Sequence, residues 1–312
     1  MQIKEHFLQL VAQKGGFKPL HAHFDKSNVV TPELLIEAQT ASMQDKWLLY
    51  RNLKSAYTFD DVYKRSEDAL HALLKQNVSV VRTFADADSQ VGQMCVDALC
   101  KLKEDYSDTI HIEIAIQPLE GITTPASYEA FVTACSKADL VGGLPSRDPD
   151  PKEHLVKLFE IACKYDLPVD VHVDQLNSPQ EKETELLALV KTEVGFSNKV
   201  NAVHSISLSA HPKDYQQHVA RLLKETDIGV IICPSAALSM KPMPGLAPIH
   251  NSIAPLQLLV DNDVDVALGI DNIADLFMPL VDADMWFECR LLMEATRCYD
   301  LDLISTIATR YI

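Results

Sequence analysis

The sequence predicts an α/β fold of the (β/α)8 type, a TIM barrel, in a single domain over residues 1–312. Three observations carry that expectation. Short apolar or β-branched runs recur eight times, stretches with helical spacing separate them, and polar residues gather at the ends of several runs. Strands alternating with helical crossovers read as a parallel sheet, and eight of them suit a closed barrel better than an open sheet. The chain of 312 residues, 47% hydrophobic and 23% charged, has material for one large core.

In order, the runs are FKPLHAHF (17–24), NVSVVRTF (77–84), IHIEIAIQ (110–117), ADLVGG (138–143), PVDVHVD (168–174), NAVHSIS (201–207), IGVIICP (228–234) and VDVALGID (264–271). Stretches such as DDVYKRSEDALHALLKQ, DPKEHLVKLFEIACKYD and SPQEKETELLALVKTEV lie between them with apolar residues at helical spacing. Each opens on a Ser or Asp able to cap exposed amides, often beside a proline. Segments 33–60 and 235–250 read as long loops. Pro242, Pro244, Gly245 and Pro248 suit either a lid over the barrel mouth or a plain surface excursion.

Charge and composition narrow the function classes. Lys and Arg total 28 against 44 Asp and Glu, a formal charge of −16, and the basic residues do not cluster. Nucleic acid and anionic membranes both call for basic patches, so neither is an expected partner. Seven cysteines, an odd number without a C-x-x-C pair, read as reduced thiols. The opening MQIKEHFLQLVAQKGG has no apolar signal core, and no run approaches the ~18 residues of a membrane helix. A cytoplasmic protein acting on a small molecule is expected, and a homo-oligomer is compatible with these features. A Rossmann-like nucleotide binder is disfavoured, because the chain has 10 glycines and no G-x-G-x-x-G or P-loop.

Alternation along strands selects the side chains that carry chemistry. In HAHFD, His21, His23 and Asp25 share one face. Two imidazoles two residues apart at a strand end can share a metal, but alone the pair fits unrelated core or surface histidines as well. In PVDVHVDQ, Val169, Val171 and Val173 form one face and Asp170, His172 and Asp174 the other. The valines suit the helix layer, which turns the polar stripe inward, where unpaired charge is costly. Either a divalent cation or buried ion pairs would relieve that cost. In VDVALGID, Asp265, Ala267, Gly269 and Asp271 face inward, and the two small residues clear space beneath Asp271. Asp271 then reaches the barrel axis or caps the next helix, and His204 in NAVHSIS either serves a site or packs. Jointly these strand ends converge on one mouth, and three imidazoles with a carboxylate suit one divalent ion, zinc or iron(II), better than calcium or magnesium.

These segments resemble the amidohydrolase superfamily, specifically its cytosine deaminase-like branch, over about residues 20–276. HAHFDK (21–26) is similar to that branch's H-x-H-x-D-K, VDVHVD (169–174) to its fifth-strand segment, HSISLSA (204–210) to the stretch after its sixth strand, and ALGIDNIAD (267–275) to its G-x-D-N-x-x-D. VRTFADAD (81–88), AIQPLEG (115–121) and DLVGG (139–143) match more weakly. The resemblance implies a metal-dependent amidohydrolase or aminohydrolase that hydrolyses a C–N bond of a small heterocycle, amidine or amide with a metal-activated water. It implies His21, His23, His172 and Asp271 as metal ligands, with Asp271 and His204 catalytic. By that resemblance Asp271 helps remove the water's proton and His204 orients the water or steadies developing charge. Gln117 roughly corresponds to the branch's substrate-binding Gln, Gln175 is a further candidate to contact substrate, and Asp275 is a candidate either to contact substrate or to stand just behind the ligands. Asp174 and Lys26 are expected just behind the ligands, Lys26 being equally readable as a solvated side chain.

Several departures bear on the substrate. The branch reads H-x-D-E where this chain has His172-Val173-Asp174-Gln175, and an amide binds by hydrogen bonds but relays no proton. General acid catalysis is worth about 100- to 10,000-fold, so cytosine deamination itself is not expected. Related triazine-degrading enzymes tolerate a non-Glu residue there, which keeps other nitrogen compounds open. Phe84 stands where the branch has His, and Pro234-Ser235-Ala236-Ala237 lacks an Asn found in many relatives, which makes the pocket less polar. Only 20 residues precede His21 and 41 follow Asp271, so the relatives' flanking β-sandwich is not expected, and the chain reads as a bare barrel or as a sequence lacking its C-terminal part. The same departures support a competing expectation, a catalytically degenerate barrel that binds or regulates.

Overall fold

The computed structural model describes residues 3–35, 41–239 and 253–312. Its centre is a seven-stranded parallel sheet in sequential order. The strands are β1 (Val80–Asp86), β2 (His111–Gln117), β3 (Leu140–Gly143), β4 (Val169–Val173), β5 (Val200–His204), β6 (Ile228–Ile232) and β7 (Val266–Leu268). Parallel neighbours need crossovers. Helices Met94–Asp105, Pro125–Cys135, Pro151–Tyr165, Glu183–Val194 and Lys213–Glu225 supply them from β1 through β6. A strand order that never reverses is that of a barrel wall, not of a doubly wound sheet.

Seven of the eight expected runs form strands, and residues 17–24 do not. That segment makes only two isolated bridges, Phe17 with Val78 and Ala22 with Asp271. Its backbone still bonds to both sheet edges. Arg82 N donates to Pro19 O at 3.0 Å and Phe84 N to Ala22 O at 2.8 Å, while Leu20 N donates to Leu268 O at 2.9 Å and Ile270 N to His21 O at 2.8 Å. Pro19 has no N–H to give, and the 3-10 turn Phe24–Lys26 ends the extended stretch, so a regular ladder never develops.

The helices follow their local signals. Asp150 accepts from the amides of Lys152 at 2.9 Å and Glu153 at 3.1 Å, with Pro151 at the first helical position. Segment 33–60 is not one loop: it contains the helix Met43–Lys54. Ser42 and Asp45 form its capping box, Asp45 N donating to Ser42 Oγ at 3.1 Å and Ser42 N to the Asp45 carboxylate at 2.9 Å. In the other expected loop, Pro234–Ser239 is helical, while Pro242, Pro244, Gly245 and Pro248 lie outside the described residues.

The apolar faces divide as alternation requires. Val169, Val171 and Val173, with Val266, Leu268 and Ile270, join the main core beneath the helices. Phe84, Ala115 and Leu140 pack on the opposite, inner side. No helix of the described residues is long and apolar enough to cross a membrane.

Candidate active site

Gln117 and His204 close β2 and β5, His172 is the penultimate residue of β4, and Asp271 follows β7 by three residues. His21 and His23 arrive on the segment that runs between the two sheet edges. All of these side chains are buried and meet at one end of the sheet. His21 Nε2 lies 3.3 Å and His23 Nε2 3.1 Å from Asp271 Oδ1, and His204 Nε2 lies 3.9 Å from Asp271 Oδ2. His172 Nε2 sits 3.3 Å from His23 Nε2. Gly269 permits this approach, since a Cβ there would stand 2.7 Å from the Cβ of His21. His204 and Asp271 both hold positive φ, 77° and 70°, a region that costs a residue with a Cβ about 1–3 kcal/mol and that clusters at functional sites.

Ligand atoms of His21, His23 and His172 lie within 4.8 Å of one another, as do those of His21, His204 and Asp271. His172 Nδ1 donates to the Gly143 carbonyl at 3.0 Å, which leaves the lone pair on Nε2, facing His23. His21 makes no aligned hydrogen bond at either ring nitrogen, and Nδ1 of His23 and of His204 have no partner among the described residues. Protons do not relieve this crowding. Burial first, and neighbouring imidazoles second, drive His172 well below its usual range, and burial lowers His21 to about 3 against the pull of Asp271. Burial alone would raise the Asp271 carboxyl, but its contacts with His21 and His23 hold it well below the usual carboxylate range. The neutral rings of His21 and His172 beside the ionised Asp271 carboxylate fit a bound metal ion.

Lys26 stands beside this cluster, fully buried and paired. Its Nζ lies 3.1 Å from Asp25 Oδ1 and 2.8 Å from Asp86 Oδ1, and it reaches Gln117 Oε1 at 3.4 Å. Asp86 also takes Lys54 at 2.6 Å, and Lys54 takes Asp88 at 2.7 Å. Burial alone would raise Asp86, yet the two lysines hold it at about 2.

Three expected placements are corrected. Asp25 does not share the face of His21 and His23, because the 3-10 turn swings it to Lys26 and to the Asp86 amide, 2.9 Å away. Asp174 faces no ligand: with φ at 54° it turns to accept from Glu183 N at 2.7 Å and Thr184 N at 3.2 Å, capping the helix Glu183–Val194 in place of the expected Ser178. Of the two places expected for Asp275 the one against substrate is not taken: it lies outside the cavity lining, close enough to feel the charges of Asp271 and His23, with its oxygens bonded to Tyr50 at 2.6 Å, to the amides of Phe277 and Met278 at 2.9 Å each, and to Asn272. Each is a short carboxylate captured by nearby donors.

A cavity of about 640 Å³ opens over the cluster, reached by His23, His172, His204, Asp271, Gln117 and Gln175. One wall was not foreseen from sequence: Met43, Lys46 and Trp47 of the helix Met43–Lys54. The Ser42-x-x-Asp45 pattern was the available signal.

Comparison with known proteins agrees with this geometry. The model of the amidohydrolase family matches residues 16–309. An uncharacterised protein of Haemophilus influenzae is 30% identical over 261 residues, which are 82% of this chain and 95% of that one. A pterin deaminase of Rhizobium rhizogenes is 24% identical over 92% of this chain, and the match spans 65% of that protein, just under two thirds. Among solved structures, 5-methylcytosine deaminase from Klebsiella pneumoniae, liganded with 5-fluorocytosine, superposes with a TM-score of 0.85 at 23% identity, covering 94% of this chain and 74% of that one.

Proposed function

This chain belongs to the amidohydrolase family, and from that premise we propose that it hydrolyses a C–N bond of a small heterocycle, amidine or amide, with one zinc or iron(II) ion held by His21, His23, His172 and Asp271. The convergence of buried imidazoles on one carboxylate supports this reading. When bound, such an ion supplies Lewis acidity, making water a competent nucleophile near neutral pH. Asp271, ionised because its neighbours hold it so, accepts a proton from the attacking water. His204, with Nε2 at 3.9 Å from Asp271 Oδ2, orients that water or steadies the charge that develops. Gln117 and Gln175 offer donors and acceptors to the heteroatoms of the substrate. Asp271 is the one carboxylate among the described residues lining the cavity, so it also returns the proton to the departing nitrogen. Gln175 relays no proton, which makes cytosine a poor expected substrate.

The same reading treats residues 17–23 as the eighth stave of a closed (β/α)8 barrel, supported by their bonds to β1 and to the segment around β7. It places the reaction in the cytoplasm, supported by cysteines that are all free thiols. The test is metal removal and reloading. Chelator-stripped protein should regain about one equivalent of zinc or iron, and with it the release of ammonia or amine from a broad panel of amides and aminated heterocycles, or the ring opening of lactams. Protein that takes up metal yet cleaves nothing in such a panel is a binding protein on the same scaffold.

A further inference from the structure

The helix Met43–Lys54 turns Met43, Lys46 and Trp47 toward the cavity that holds His23, His172 and Asp271. Trp47 is held in place: the Arg147 guanidinium carbon lies 4.2 Å from its ring centroid, and Arg147 Nε donates to the Leu119 carbonyl at 2.6 Å. Lys46 sits half-buried beside it. Its Nζ makes a single long bond, 3.4 Å to the Phe277 carbonyl, and no ion pair among the described residues includes it.

The other lysines of the region differ. Lys26 and Lys54 are each flanked by two carboxylates. The nearby Asp275 is saturated by its own donors, and Asp271 is engaged by histidines. Burial pulls the Lys46 ammonium below its usual range and Asp275 only partly offsets this, as befits a cation removed from water without a counter-ion. A charge of this kind beside a fixed aromatic ring, in the cavity that holds the reacting groups, matches a ligand with an anionic end and a flat body.

We propose that Lys46 is a specificity-determining residue that binds a carboxylate on the substrate, which is therefore a planar nitrogenous acid. This deepens the hydrolase reading and rests on it for the position of the scissile bond, but the binding step stands apart from turnover.

The test uses isonicotinate and its uncharged counterpart isonicotinamide, titrated calorimetrically into the purified protein, first chelator-treated and then zinc-loaded. Isonicotinate should bind about ten- to a hundredfold more tightly, the range expected for a hydrogen bond to a charged group. Lys46→Met should erase that preference while leaving isonicotinamide affinity and the thermal midpoint unchanged, and Lys46→Arg should restore most of it. A preference that survives Lys46→Met, one that appears only with zinc, or equal or absent binding of the two probes overturns the proposal. Because binding is read without turnover, failure of the hydrolase reading shows as no amine release with the carboxylate preference intact.

Discussion

Strand β4 carries buried polar residues to both ends of the sheet, and the two ends use them differently. At one end Asp170 accepts from Arg82 Nη1 at 2.9 Å and from Asn201 Nδ2 at 2.8 Å, while Arg82 also donates to Glu113 and to the Ile312 carbonyl, each at 2.9 Å. Tyr311 completes that set by donating to Glu113. Two residues along the same strand, His172 turns Nε2 to His23 Nε2 at 3.3 Å, beside unpartnered ring nitrogens of His21, His23 and His204. Burial is the same at both ends, with Asp170 at 0% exposure and His172 at 3%. What differs is satisfaction. A saturated interior network holds the wall together, whereas a crowded, unsaturated one is arranged for something the chain does not itself supply.

The largest effect should come from breaking the unsaturated end. Asp271→Asn keeps the side chain's size but removes its charge and its capacity to take a proton, so metal-loaded amine release should fall by about 100- to 10,000-fold. Urea unfolding of that variant should change little, and a collapse of stability instead would mean that Asp271 serves the fold. The saturated end should respond in the opposite currency. Arg82→Met strands Asp170 and Glu113 without their cation, and breaking a buried pair in this way typically costs about 3–5 kcal/mol. Urea unfolding measures that loss, while the folded fraction should retain its metal. A loss under about 1 kcal/mol, the level of a surface pair, would erase the distinction between the two ends.

A third effect, read through pH, lies at the rim, where Glu183 accepts from the Asp174 amide at 3.2 Å. Burial, then the charges of Asp174 and Glu181, raise Glu183 from 4.5 to about 8. The folded chain therefore keeps a proton that the unfolded chain releases, so this stabilisation is complete below about pH 4.5 and is lost as pH rises through about 8. Thermal unfolding across that window should show a declining midpoint, and Glu183→Gln should flatten the decline. An unchanged slope in the variant would assign the pH dependence to other groups.

Much of the site was readable because strand geometry is local. Alternation placed Val169, Val171 and Val173 against the helices and turned His172 inward, and the motifs around His21, His23, His204 and Asp271 pointed to a single end of the sheet. The misplacements share a cause. Asp25, Asp174 and Asp275 all sit where the chain leaves regular structure, at a 3-10 turn, at a positive φ or in a loop, and a short carboxylate there goes to whichever donors the turn brings near. The helix Met43–Lys54 was hidden differently, because no strand flanks it and only its capping box marked its start.

Inward or outward facing of a side chain follows from the two-residue period of a strand, so the amino-acid order alone dictates it. Whether an inward polar atom finds a partner does not follow from that order, because partners come from distant strands. Arg82 reaches Asp170 across 88 residues, and His23 meets His172 across 149. Only the folded sheet brings those pairs together, saturating one end and leaving at the other the open ring nitrogens on which the proposed chemistry depends.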